Sequence, residues 1–252
     1  MDNIKKKWSE TQLHWDDKEI IQSQKFPKSI IFNWRKMTLI LHFLCKEKSY
    51  SSDNTTVIVD IGCGAGKFCD GLDFPLYYMG IDPSDKMLSY ASMDYNKQFI
   101  RGVGEQLPLK SGIADIVLYK SVLDQCYDPS LAISESRRAL KAGGWLLISL
   151  SNRDSYYAVF RRIRNRLRGN KSDHFFQESH QFYFDMNEVK LMLKKEKFDI
   201  VYQIPFGYFI FPRSLEKAIP DRLLTRLIDI SDRVGSFIFP GKCGGFILVG
   251  KC

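Results

Sequence analysis

Histidine is scarce here, four in 252 residues, and the six cysteines at 45, 63, 69, 126, 243 and 252 form no CxxC pair. Those two shortages argue against a zinc site. Scattered thiols fit a reducing compartment better than a disulfide framework. Long apolar runs are missing too: Trp145 to Leu150 is typical, far short of the ~20 residues of a membrane span. The opening MDNIKKKW is basic with no apolar core behind it, so the reading is no secretory signal and a cytoplasmic protein. Internal repeats, low-complexity tracts, an RNA-binding module and the aromatic–basic interleaving of base-stacking surfaces are all lacking.

What is present is ordinary globular material, 44% hydrophobic and 26% charged. The length suits one α/β domain with additions, or at most two small domains. The net charge of +8 is unevenly placed. Residues 1–50 carry 10 basic and 6 acidic side chains, residues 51–150 carry 9 and 12, and residues 151–252 carry 18 and 11. A mildly acidic middle between basic flanks suits a core that holds a cationic ligand while its surroundings meet something anionic.

From Val57 the pattern alternates. Strand-like runs are Val57–Ile61, Leu76–Ile81, Gln98–Val103, Asp115–Tyr119, Trp145–Leu150, Asp199–Ile204 and Phe246–Gly250. Helix-length segments lie between, at Ser84–Tyr95, Pro129–Lys141 and Asp185–Lys197. The last opens with Asp185 and Glu188 at capping-box spacing. Ala142-Gly143-Gly144 is expected to end the second helix ahead of a strand. The alternation predicts an α/β fold with a mainly parallel, doubly wound sheet and ligands at the carboxyl ends of its strands. Residues 1–50 read as a helical N-terminal addition, with Ile31, Trp34, Thr38, Leu41 and Cys45 at helical spacing. An insertion at 205–245 precedes the last strand and contains an amphipathic segment from Leu223 to Val234. Both are expected to pack over the open edge of the sheet.

The stretch VIVDIGCGAGKF puts glycine at 62, 64 and 66 directly after a buried strand. Such glycines let the backbone turn sharply and approach a ligand closely. The dinucleotide fingerprint G-x-G-x-x-G is not met, since its third glycine falls on Lys67. Asp60 stands just before the turn, where a carboxylate would repel a diphosphate but suit an amino acid's ammonium group. In MGIDPSDKM, Asp82 ends the second strand, where an acid can accept hydrogen bonds from both ribose hydroxyls. Ser84 is a good helix cap, which leaves Asp82 for a ligand. The loop GVGEQLPL, closed by Leu107-Pro108, offers a seat for an adenine ring.

Taken in order, VDIGCGAG, GID, GEQLPL, VLDQCYDP and LKAGGWLLIS resemble the class I S-adenosylmethionine-dependent methyltransferases, most closely the small-molecule type 11 branch. The resemblance is strong over residues 55–151 and looser to about 202. It implies a Rossmann-like, seven-stranded sheet over residues 51–252 with helical additions, and S-adenosylmethionine as cofactor. It further implies that Gly62, Cys63 and Gly64 pass beside the methionine part of the cofactor and that Asp60 orients its ammonium group. Asp82, with Pro83 and Met87 behind it, would bind the ribose diol; Gly104 and Glu105 would flank adenine; Lys120 or Ser121 would line the methionine side. Two departures stand out. Val103 replaces the acidic residue of the family's adenine loop, and Gln125 replaces a histidine that often follows the fourth strand.

Methyl transfer from a sulfonium needs donor and acceptor held in line, and a base only for a poorly acidic acceptor. The candidate catalytic base is His180, in SHQFYF, within a lid or substrate segment at 152–184. No metal is expected. AVFRRIRNRLRGNK, 158–171, is a basic amphipathic helix. It admits three readings: an apolar face on the core, a seat for an anionic substrate or anionic membrane surface, or RNA binding. The leading function is methylation of an O, N or C atom of a small molecule, anionic or lipid-linked. The alternatives are an RNA methyltransferase and a cofactor-binding pseudoenzyme acting as partner subunit.

Overall fold

The computed structural model describes residues 28–49, 55–68, 76–91, 96–167, 183–208, 216 and 218–252. In chain order these form α1 (Lys28–Ser49), β1 (Thr56–Ile61), β2 (Leu76–Asp82), α2 (Asp85–Ser89) and β3 (Lys97–Arg101). Then follow β4 (Ala114–Lys120), a 3-10 turn (Leu123–Gln125), α3 (Pro129–Ala139), β5 (Leu140–Ser151) and α4 (Tyr156–Leu167). The chain closes with α5 (Met186–Lys195), β6 (Asp199–Phe206), α6 (Asp221–Ile238) and β7 (Gly245–Lys251). No described helix is long and apolar enough to cross a membrane.

The strands form one seven-stranded sheet ordered β3-β2-β1-β4-β5-β7-β6. β1 pairs in parallel with both β2 and β4, β4 with β5, and β2 with β3; β7 runs antiparallel between β5 and β6. The chain builds outward from β1 through β2 to β3, then crosses to β4 on the other side. The reversal between β1 and β4 opens a crevice at the strands' carboxyl ends, the usual ligand position in such sheets.

Alternate residues of each strand feed two cores. On one face Met37, Leu41 and Leu44 of α1 pack on Ile58, Tyr78, Ile116, Leu118, Leu147 and Ile247. On the other, Ala132 and Ile133 of α3 and Val189 and Leu193 of α5 pack on Val59, Ile81, Val117, Leu146 and Leu248. Each such fully buried aliphatic side chain stabilises the fold by roughly 1.5–3 kcal/mol.

Several expectations need correction. The N-terminal helix covers a face of the sheet rather than its edge, because Met37, Leu41, Leu44 and Cys45 make a stripe wide enough to cap the central strands. Thr38 is half-buried beside it, and the Ile31 and Trp34 side chains fall outside the described residues. Helix α3 ends at Ala139, and the Gly143-Gly144 pair lies within β5. There Gly143 has φ +72° and the β4 register jumps from Ala114↔Leu140 to Ile116↔Trp145, so the glycines mark a strand irregularity, not a helix stop. The expected helix from Ser84 is one short turn of five residues, capped by Ser84 Oγ accepting from Met87 N at 3.1 Å. The capping box at Asp185 and Glu188 is present as read.

Candidate functional site

β1 delivers the glycine turn to the crevice. Gly62, Gly64 and Gly66 all have positive φ, at 69°, 55° and 69°. The turn hangs from the end of β2: Gly62 N and Cys63 N both donate to Ile81 O, at 2.7 and 3.2 Å. A Cβ on Gly62 would stand 2.5 Å from the Val122 side chain, and one on Gly64 3.0 Å from Met87 Cε. The glycines thus serve two needs at once, a left-handed backbone and close packing by neighbouring side chains. The close approach at Gly62 is made by Val122 and not by an open cradle, which corrects the simple ligand-approach argument.

Asp82 is more occupied than expected. Its Oδ2 accepts from Gly64 N at 2.8 Å and its Oδ1 from Ser84 N at 2.9 Å. One carboxylate therefore clamps the glycine turn to the start of α2, and Ser84 caps the helix independently.

Asp60 is almost fully buried, at 2% exposure, and accepts a hydrogen bond from the Tyr78 hydroxyl. Burial pushes its carboxyl from the ordinary 3.8 up to about 6; Lys120 and the Tyr78 hydroxyl oppose the rise and Asp82 adds to it. Burial likewise lowers the Lys120 ammonium below its usual range, against the pull of Asp60 and Cys63. Lys120 Nζ lies 4.7 Å from the centroid of Phe68. The structure thus brings Asp60, Cys63, Asp82 and Lys120 into one electrostatic neighbourhood beside the turn. Met87 adjoins it through Gly64, and Pro83 is half-buried between Asp82 and Ser84.

Glu105 points inward. Its Oε1 accepts from Tyr127 N at 2.6 Å and more weakly from Asp128 N at 3.4 Å, bracing the start of α3. Its Oε2 is buried with no hydrogen-bond partner among the described residues, and burial raises its pKa. The Asp128-Pro129 pair proves to be a helix cap, with Asp128 accepting from Leu131 N at 3.0 Å. Gly104 packs against the Tyr119 hydroxyl, Ala132 and Ile61. Ser121 is exposed in the left-handed region, φ 57°, with its N–H on Ser149 O at 2.8 Å. Gln125 turns back on Ser121 O at 2.9 Å. His180 lies outside the described residues, as does 168–182 of the expected lid.

Tyr78 was missed in the sequence, although a tyrosine in a buried strand needs a partner for its hydroxyl. Arg153 was missed as well. It donates to Asp185 Oδ2 at 2.8 Å and Glu188 Oε1 at 2.9 Å, tying the chain after β5 to the start of α5. Beside this network, at the same rim but away from the glycine turn, opens a cavity of about 520 Å3 lined by Asp154, Asp185, Lys190, Gln203, Tyr208 and Lys242 among others. Among the described residues no cluster of His, Cys, Asp and Glu is arranged to hold a metal ion.

Residues 59–148 match the family model of the type 11 methyltransferase domain. An uncharacterised protein of Methanocaldococcus jannaschii is 34% identical over 98 residues, 39% of this chain and 46% of its own. A ubiquinone biosynthesis O-methyltransferase of Nitrosomonas europaea is 30% identical over 115 residues, 40% of this chain and 48% of its own. The chain thus spans about half the length of the curated relatives it matches. Among solved structures, an S-adenosylmethionine-dependent methyltransferase of Thermotoga maritima, described as a possible histamine N-methyltransferase, superposes with TM-score 0.55. It is 18% identical, and the superposition covers 87% of this chain and 92% of the other. Fold and matched segment agree: residues 59–148 are similar to the type 11 methyltransferase domain and lie on a sheet of the same fold as the Thermotoga methyltransferase.

Proposed function

We propose that the whole protein is an S-adenosylmethionine-dependent methyltransferase acting on an O, N or C atom of a small molecule. The observation that carries this reading is the convergence of Asp60, Lys120 and Asp82 at the crevice between β1 and β4. The cofactor's amino-acid end is a zwitterion, and the crevice offers it one buried carboxyl and one half-buried ammonium of opposite sign. Asp60 would hold the cofactor's ammonium group and Lys120 its carboxylate. Asp82, already fixed in direction by Gly64 and Ser84, would accept from the ribose hydroxyls.

Bound S-adenosylmethionine supplies a methyl group already activated on a sulfonium sulfur. What the protein must add is alignment of donor and acceptor and exclusion of water, which can supply roughly 7–11 kcal/mol. No covalent nucleophile is required. The polar cavity near Asp154 and Asp185 is our proposed acceptor site, supported by its place on the same rim of the sheet. His180 remains the proposed base for an acceptor of low acidity. The name of the Nitrosomonas relative supports a small-molecule acceptor.

Titration calorimetry tests the reading. Wild type should bind S-adenosylmethionine, and Asp60→Asn should bind it roughly ten- to a hundredfold more weakly, the worth of one charge-assisted hydrogen bond. Asp82→Asn should weaken it too, but it also disturbs the clamp on the glycine turn, so Asp60 is the cleaner arm. Absence of binding by wild type, or unchanged affinity in both variants, overturns the assignment. Labelled donor incubated with metabolite extracts then identifies the acceptor.

A further inference from the structure

Two helices at the carboxyl rim turn large apolar side chains outward. Helix α6 docks on the protein through Leu224, Ile228 and Gly235. A second stripe, about a quarter-turn or more away at helical spacing, is apolar as well. Leu223, Ile230, Val234, Phe237 and Ile238 there are 50–89% exposed. Arg222, Arg226 and Arg233, all exposed, run along its border. Helix α4 repeats the arrangement: Phe160, Ile163 and Leu167 are 61%, 54% and 83% exposed. Its twelve residues, YYAVFRRIRNRL, include four arginines and no acid. The reading that placed this helix's apolar face on the core is therefore set aside.

The start of α4 is tied to the turn that follows α6. Tyr156 N, at the start of α4, donates to Lys242 O in the turn leaving α6, at 3.4 Å. Topology puts both on one rim, since α4 leaves the carboxyl end of β5 and α6 leads into β7, whose Gly245 pairs with Ser151. Single exposed apolar residues need no explanation, but stripes on two helices at one rim do.

Charge decides what fits there. A second copy of the chain meeting this face symmetrically would set α4, with four arginines, near its own image, and like charges repel. A bilayer bearing anionic lipids satisfies both features, since acyl chains take the stripes and phosphates take the arginines. Residues 151–252, with 18 basic against 11 acidic side chains, carry most of the positive charge. We propose that α4 and the outer stripe of α6 form an interfacial docking surface for an anionic lipid bilayer. The proposal stands apart from the transferase reading.

Vesicle flotation of the full chain tests it. The protein should float with phosphatidylcholine vesicles containing phosphatidylglycerol, fail to float with phosphatidylcholine alone, and be released progressively by salt. Ile230→Glu with Phe237→Glu should lower the partition coefficient roughly tenfold or more. Arg164→Gln with Arg166→Gln should lower it roughly 25-fold, at about fivefold per arginine. Circular dichroism and S-adenosylmethionine binding should be unaltered in both pairs, which separates loss of docking from loss of fold. No flotation with anionic vesicles, or equal flotation with neutral ones, overturns the proposal. A wild-type dimer in sedimentation that Ile230→Glu dissociates does so too, by assigning the stripe to a second copy.

Discussion

At the scale of single residues, Asp60 is held in a state that favours its ligand at the expense of the empty protein. The unfolded chain releases this proton near pH 3.8, whereas burial keeps it on the folded protein to about pH 6. The carboxyl therefore contributes stability below about pH 4 that is lost as pH rises through 6. At neutral pH the shift of about two units opposes folding by roughly 1–3 kcal/mol. Asp60→Asn should accordingly raise the melting temperature of the cofactor-free protein at pH 7.5 while weakening cofactor binding, as scanning calorimetry and titration would read. Since the ionised form is the one that meets an ammonium group, S-adenosylmethionine affinity in wild type should fall by up to tenfold per pH unit below about 6. The Tyr78 hydroxyl opposes the upward shift. Tyr78→Phe should move that acidic limb to higher pH by a fraction of a unit to about one unit; an unmoved or downward-shifted limb would break the link between the two residues.

Among elements, the central strands were legible because buried parallel strands are short apolar runs ending at glycine or an acid, as VIVDIG and YYMGID do. Helix ends were harder to read. Gly143-Gly144 looks like a helix stop, but the chain had already become extended at Leu140, and only the pairing with β4 shows it. Helix α6 was readable as amphipathic, yet not which of its two apolar stripes is buried. Gly235 makes that choice. A Cβ there would stand 2.3–2.6 Å from Tyr208 atoms, so glycine is what lets this stripe close on the loop after β6. Helix propensity alone gives Gly235→Ala a gain of about 1 kcal/mol. Overpacking against Tyr208 costs about 1–3 kcal/mol, and the steric term should win. Urea denaturation should therefore show a net loss of stability; a net gain would mean that the helix can shift to admit the methyl group.

For the molecule as a whole, what stayed hidden in the sequence is what distant segments do together. Asp60, Asp82 and the glycines announce themselves locally, but Tyr78, Val122 and Phe68 join the site only through sheet register and strand order. The same holds for the attachment of the outer helices. Asp232 of α6 accepts from Gly207 N at 2.8 Å and Tyr208 N at 3.1 Å through Oδ1, and from Lys36 Nζ at 2.5 Å through Oδ2. One carboxylate thus fastens α6 both to the end of β6 and to α1, which lies on the opposite side of the segment 59–148 in sequence. Removing it strands two backbone donors, at about 1–3 kcal/mol for each buried group left unpaired, and leaves Lys36 to Asp229 at 3.9 Å. Because α6 docks on the sheet by a single narrow stripe while the strands are bonded to one another, that loss should be felt locally first. Asp232→Ala should therefore speed amide exchange in α6 well before β1, β4 and β5, and leave S-adenosylmethionine affinity nearly unchanged. Uniform acceleration across the sheet would show instead that α6 and the sheet unfold as one unit.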